Sequence, residues 1–205
     1  ACVSPPVLSQ IRLPTDSRTD VLAQLAVNAP TAKDRDQWSR QLVDSLTALS
    51  QSGSLPGALA RLAAEESRWK TQAPTSPFIA FINYRHLLAR YSQSLRVATD
   101  EAGQAQAQRQ WLSGLGQFIQ DNPQAEDTPE AMWHLGTAQE FASGNKQAQA
   151  WSSPLVRKFP RSPAGLRAAG ALKRLALKGK PLSLVGRGLK GPAIRSESYR
   201  GKVLL

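Results

Sequence analysis

From about Thr19 to Leu177 the chain repeats one pattern. Apolar residues recur every three to four positions, and each run is cut by proline, glycine or a short polar residue. That period belongs to helices, and the strict alternation of a half-buried strand is missing throughout this stretch. A chain punctuated in this way is expected to form successive helices joined by short polar loops, which places neighbours antiparallel and stacks them as hairpins. Composition supports the same reading, because Ala, Leu, Gln and Arg dominate the middle and are good helix formers.

The individual runs can be placed from their boundary signals. Thr19-Asp20 is expected to cap a short helix reaching about Ala29 and ended near Pro30. Thr31 is expected to cap the next, with Asp34 and Asp36 in its first turn, Trp38, Leu42, Leu46 and Leu49 on one face, and Gly53 as the stop. Ser54 is expected to cap a third, with Pro56 in its first turn and Leu59, Leu62 and Trp69 keeping the period. Beyond the Pro74–Pro77 loop, Phe78, Phe81, Ile82, Leu88, Tyr91 and Leu95 make a stripe broad enough to be buried between neighbours. Another run through Trp111, Leu115 and Phe118 ends at Asn122-Pro123. Residues 1–16, rich in Pro, Ser and Thr, read as a flexible leader. The expected division is therefore a leader at 1–16, a helical repeat-like domain at 17–178 and a distinct segment at 179–205.

Residues 128–177 are the most specific part of the helical region. Thr128-Pro129-Glu130 reads as a helix start with Thr as cap. Leu135-Gly136 then pairs at fixed offsets with Ala148 and Pro160. Gly136 and Ala148 let two helices approach closely, and Pro160 cannot continue a helix. Ser143-Gly144-Asn145 supplies the turn between them. These offsets resemble the tetratricopeptide repeat, and Phe159-Pro160-Arg161-Ser162-Pro163 resembles repeat closures common in bacterial envelope proteins. Gln139 stands where that pattern has an aromatic, and Ser152 where it has a larger apolar residue. The fold class expected is all-α, a tetratricopeptide-like array of antiparallel helical hairpins with a short C-terminal β-hairpin.

That hairpin comes from a change of texture. Lys178-Gly179-Lys180-Pro181 breaks the helical pattern, and residues 182–185 and 189–194 then read as two short strands with glycine turns. Tyr199-Arg200-Gly201-Lys202-Val203-Leu204-Leu205 follows as an apolar strand, expected to be the opening of a domain cut short. The order Gly179-Lys180-Pro181, hairpin, Arg200-Gly201-Lys202-Val203 resembles the lead-in of TlpA-like thiol–disulfide oxidoreductases, in the redoxin branch of the thioredoxin superfamily. The resemblance covers the 27 residues from Gly179 to Leu205, and Arg200 to Val203 is its most diagnostic part. It implies a thioredoxin-like domain whose Cys-x-x-Cys lies beyond these residues, and a location in the bacterial cell envelope or periplasm.

No catalytic residue is carried over, because dithiol exchange needs an activated thiolate and a second, resolving cysteine. Cys2 is the single cysteine, so no internal disulfide or cysteine-based metal site can form. Ala1-Cys2 resembles the cleavage point of a bacterial lipoprotein, with an incidental cysteine as the alternative. Membrane association is expected only through a lipid on Cys2, since no stretch approaches the ~20 apolar residues of a spanning helix. His86 and His134 form no metal-ligand pairing, Gly186-Arg187-Gly188 lacks the setting of a phosphate loop, and no carboxylates are paired for acid–base work. No cofactor is expected. Charge is uneven: residues 1–150 hold 13 basic against 14 acidic side chains, and residues 151–205 hold 13 against Glu197 alone. The basic residues are dispersed and carry no interleaved aromatic series, which argues for a solvated basic face and against nucleic acid. The five tryptophans read as core anchors, with a peptide groove lined by some of them as the sharper alternative. Two functions stay open at this point. One is a non-catalytic spacer or protein-docking region of an envelope thiol–disulfide oxidoreductase, and the other is a free-standing adaptor whose basic tail binds an acidic partner.

Overall fold

The computed structural model describes residues 15–142, 145–177, 179–180, 183–187, 191 and 193–202. Among these, eight α-helices are followed by one two-stranded antiparallel sheet. The chain divides into two compact units, Ala1–Ala131 and Met132–Leu205. No described helix is long and apolar enough to cross a membrane.

The first unit holds α1 (Thr15–Val27), α2 (Ala32–Ser52), α3 (Ala58–Gln72), α4 (Phe78–Val97) and α5 (Glu101–Asp121). Helix α2 starts and stops as its sequence demands. The Asp34 amide donates to Thr31 Oγ1 at 3.1 Å, and Gly53 ends the helix at φ 72°, in the left-handed region that side chains disfavour. Two other boundaries differ from expectation. Thr19 is fully buried inside α1, because that helix begins a turn earlier, at Thr15. Ser54 does not cap α3; its hydroxyl shares a hydrogen bond with Ser52 at 2.7 Å, and Gly57 at φ 81° opens the helix instead. A glycine can turn the chain there with no side-chain cap, so the serine is free for the loop.

Side-chain pairs fix how these helices run. Trp69 meets Phe78 and Glu66 meets His86, so α3 and α4 are antiparallel; Tyr91 meets Gln108 and Tyr84 meets Phe118, so α4 and α5 are too. Asp44 meets Arg85 and Ser50 meets Arg96, so α2 and α4 lie parallel. Hairpins stacked side by side give this alternation. Leu42, Val43, Leu46, Leu62, Trp69, Phe78, Phe81 and Ile82 fill the space between α2, α3 and α4. The stripe on α4 is buried over its first half, at Phe78, Phe81 and Ile82, while Leu88 and Tyr91 are half-buried and Leu95 is exposed, against expectation; α4 packs on α2, α3 and α5. Arg96 completes the arrangement at the end of α2 by donating to the Ser50 and Gln51 carbonyls at 2.8 and 2.9 Å, the former also accepting from the Gly53 amide at 3.3 Å.

Helix α6 (Thr128–Ala142) contains the division between the units. Thr128 differs from its expected role as cap: it lies within the helix and its hydroxyl donates to the Asn122 carbonyl. The second unit continues with α7 (Asn145–Lys158) and α8 (Pro163–Ala176). Ser162 caps α8, accepting the Gly165 amide at 3.0 Å, with Pro163 in the first turn. Antiparallel strands β1 (Val185–Arg187) and β2 (Ala193–Arg195) pair Gly186 with Ile194, and a 3₁₀ turn spans Ser196–Tyr199. The strands fall inside and just past the stretches expected from sequence, shifted toward their C-terminal ends.

Candidate functional site

Two of the four residues expected to pack a repeat, Gly136 and Ala148, lie against each other. Leu135, Gly136 and Ala148 are buried, and a methyl group on Gly136 would sit 3.3 Å from Ser152 Oγ and 3.4 Å from Trp151 Cβ. The close approach that glycine permits is therefore used, and Ser152 fits because a larger side chain would not. Pro160 lies just past α7, in an exposed turn where Ser162 donates to the Phe159 carbonyl at 2.9 Å. Gly165 is the tightest point, since a Cβ there would stand 2.0 Å from the Phe159 carbonyl oxygen. Along the same unit, Glu140 accepts from Arg174 at 2.9 Å across 34 residues, and Arg167 lies over the Trp133 ring, also 34 positions on. That separation is the length of a tetratricopeptide repeat.

Of the lead-in residues, Gly179 and Gly201 both adopt positive φ, at 76° and 80°, and Arg200 and Lys202 are exposed in the turn after the 3₁₀ segment. Pro181, Val203 and Cys2 lie outside the described residues, so the apolar strand at 203–205 and the lipidation residue do too. The ribbon before them is exposed on every described residue. Leu184, Val185 and Ile194 are 57%, 61% and 50% exposed. Nothing described covers them.

The first unit holds a set of half-buried charge pairs. Arg85 bridges Asp44 at 3.1 Å and Asp127 at 2.7 Å and lies 4.3 Å from the Phe81 ring centre, a ring that Arg40 approaches at 4.5 Å. Burial pushes the Asp127 carboxyl above the usual range, against the pull of Arg85. His86 Nδ1 donates to Glu66 at 2.6 Å, and that hydrogen bond, helped by Lys70, holds Glu66 down at about 2 in spite of burial. These carboxylates are consumed by structural pairs. No group of three His, Cys, Asp or Glu among the described residues could hold a metal.

Two clefts flank α4. One, of about 610 Å³, lies toward α3 and is lined by Leu55, Pro56, Leu59, His86, Arg90 and Arg96, among others. The other, of about 540 Å³, lies toward α5 and is lined by Leu87, Arg90, Tyr91, Arg109 and Trp111, among others. Arg90 borders both. Sequence reasoning missed Arg90, Arg96 and Arg109, because an arginine on a helix surface has the same signature whether it faces open solvent or a cleft. Of the tryptophans, Trp69 and Trp111 are buried anchors, and Trp111 also walls a cleft. Compared with known proteins, the chain matches no family model and no curated protein.

Proposed function

We propose that this chain is a non-catalytic helical docking and spacing region of an envelope thiol–disulfide oxidoreductase, its thioredoxin-like domain beginning near Gly179. The observation that carries the reading is the β1–β2 ribbon with Leu184, Val185 and Ile194 turned to water. An isolated two-stranded ribbon is marginal alone, and these side chains gain stability only under a further layer. In the resembled family the ribbon precedes the first core strand, and Arg200-Gly201-Lys202 stands here at the matching place. The repeat-like packing of Gly136 against α7 and the 34-residue spacing of Glu140 and Arg174 support a tetratricopeptide-like scaffold ahead of it. A periplasmic setting with Cys2 as lipid anchor belongs to the same proposal.

The test is the reading frame on the C-terminal side of Leu205. A Cys-x-x-Cys within about a dozen codons is the expected result. A frame without one removes the redox reading. The adaptor alternative, in which the basic tail binds an acidic partner, draws less support: Arg174 is paired with Glu140 and Arg167 is laid over Trp133.

A further inference from the structure

We propose that the two clefts beside α4 form one track for an acidic, leucine-containing stretch of a partner protein, gripped at Arg90. The proposal takes up the docking half of the function above and makes no use of the redox half.

Charge comes first. Arg90 and Arg109 are exposed, and neither makes a hydrogen bond or ion pair among the described residues. No Asp or Glu lines either cleft. The carboxylate behind His86, Glu66, is already shared between His86 and Lys70. Three guanidiniums, at positions 90, 96 and 109, thus border a concave surface with no counter-charge of its own. An occupant bearing carboxylates supplies the missing sign.

The remaining lining says what else the occupant carries. Leu55, Pro56, Leu59 and Ala63 make the α3 side aliphatic, and Leu87 continues that character on the α5 side. A stretch mixing carboxylates with leucine-sized side chains matches both. Nucleobases match poorly, because Trp111 is only 6% exposed and Tyr91 is stacked on it at 5.1 Å, so the ring has no free face to offer. Extent favours a chain over a small anion. Crossing α4 from the α3 side to the α5 side covers roughly two interhelical spacings of 8–10 Å, or about five to six extended residues. Arg90 sits at the crossing, where one guanidinium can serve carboxylates entering from either cleft.

The test uses the whole chain and fluorescein-labelled hexapeptides drawn from Asp, Glu, Leu and Ala, with matched peptides in which Asn and Gln replace the acids. Anisotropy titration is expected to find acidic members that bind at least about tenfold tighter than their amide counterparts. Arg90→Glu is expected to weaken them by about tenfold or more, while Arg157→Glu, on the exposed surface of the other unit, changes affinity less than about twofold. Circular dichroism melting checks that Arg90→Glu folds; should it melt early, Arg109→Gln reports the same loss from a second partnerless position. No acidic peptide binding at millimolar concentration, or equal loss with Arg157→Glu, overturns the proposal. Tripolyphosphate binding tighter than every peptide overturns it as well, in favour of a small polyanion. The reading-frame test is blind to all of these outcomes, so either inference can fail alone.

Discussion

The two units satisfy the same helical period by opposite means. The first separates its helices with large side chains: Leu42, Leu46, Leu62 and Ile82 are essentially inaccessible, and Trp69, Phe78 and Phe81 form a connected aromatic set. The second draws its helices together over Gly136, Ala148, Ser152, Ala164, Gly165 and Ala168, with few large residues between them. Same-phase helices are stapled at different intervals as well. In the first unit Asp20–Arg61, Asp44–Arg85 and Arg85–Asp127 pair across 41, 41 and 42 residues, whereas Glu140–Arg174 pairs across 34. Interhelical distance follows the size of the side chains at the contact. The first unit should therefore fail when volume is removed, and the second when volume is added.

That contrast can be broken by mutation. Leu46→Ala empties the thick core and is expected to cost about 3–4 kcal/mol, read as a lower urea midpoint with unchanged slope. Gly165→Ala adds one methyl to the thin core, yet its collision with the Phe159 carbonyl is expected to cost about 2–3 kcal/mol. A neutral result there would show that the α8 start can shift, and would weaken the distinction. Gly136→Val presses on Ser152 Oγ and the Trp151 Cβ, with an expected loss of about 1–2 kcal/mol in the same assay.

The smallest effect concerns pH and belongs to the first unit alone. Glu66 is held at about 2 against an ordinary value of 4.5, so between those values the folded chain binds fewer protons there than the unfolded chain does. Its contribution is complete above pH 4.5 and fades as pH falls through about 2. Glu66→Gln should flatten that part of the urea-midpoint profile. An unchanged acid limb would mean that His86 does not hold the carboxylate in solution.

Much of this architecture was legible from sequence. The caps at Thr31 and Gly53, the buried first half of the α4 stripe, the switch to a ribbon after residue 180 and the glycine approach at Gly136 all follow from local chemistry. Thr19, Ser54 and Thr128 misled because each has a hydroxyl in a plausible capping position, and only tertiary packing decides whether that hydroxyl caps, turns inward or serves a loop. The 41–42-residue stapling was invisible for a related reason. Ion pairs between same-phase helices leave no periodic apolar mark, and unlike the Leu-Gly, Ala and Pro offsets they need no particular residue type at a fixed spacing. The clefts were hidden most completely, since concavity arises from neighbours that the chain brings in from three helices.

Arg96 has a consequence of its own. Its guanidinium offers five N–H groups, two of which are committed to the Ser50 and Gln51 carbonyls, while the same side chain borders the larger cleft. A carboxylate arriving there would share a donor group with the C-terminal end of α2 rather than replace it. Occupancy and the closing of that last helical turn then become one linked equilibrium. Each should slow the other's opening, and amide protons in the last turn of α2 would register the guest by exchanging more slowly.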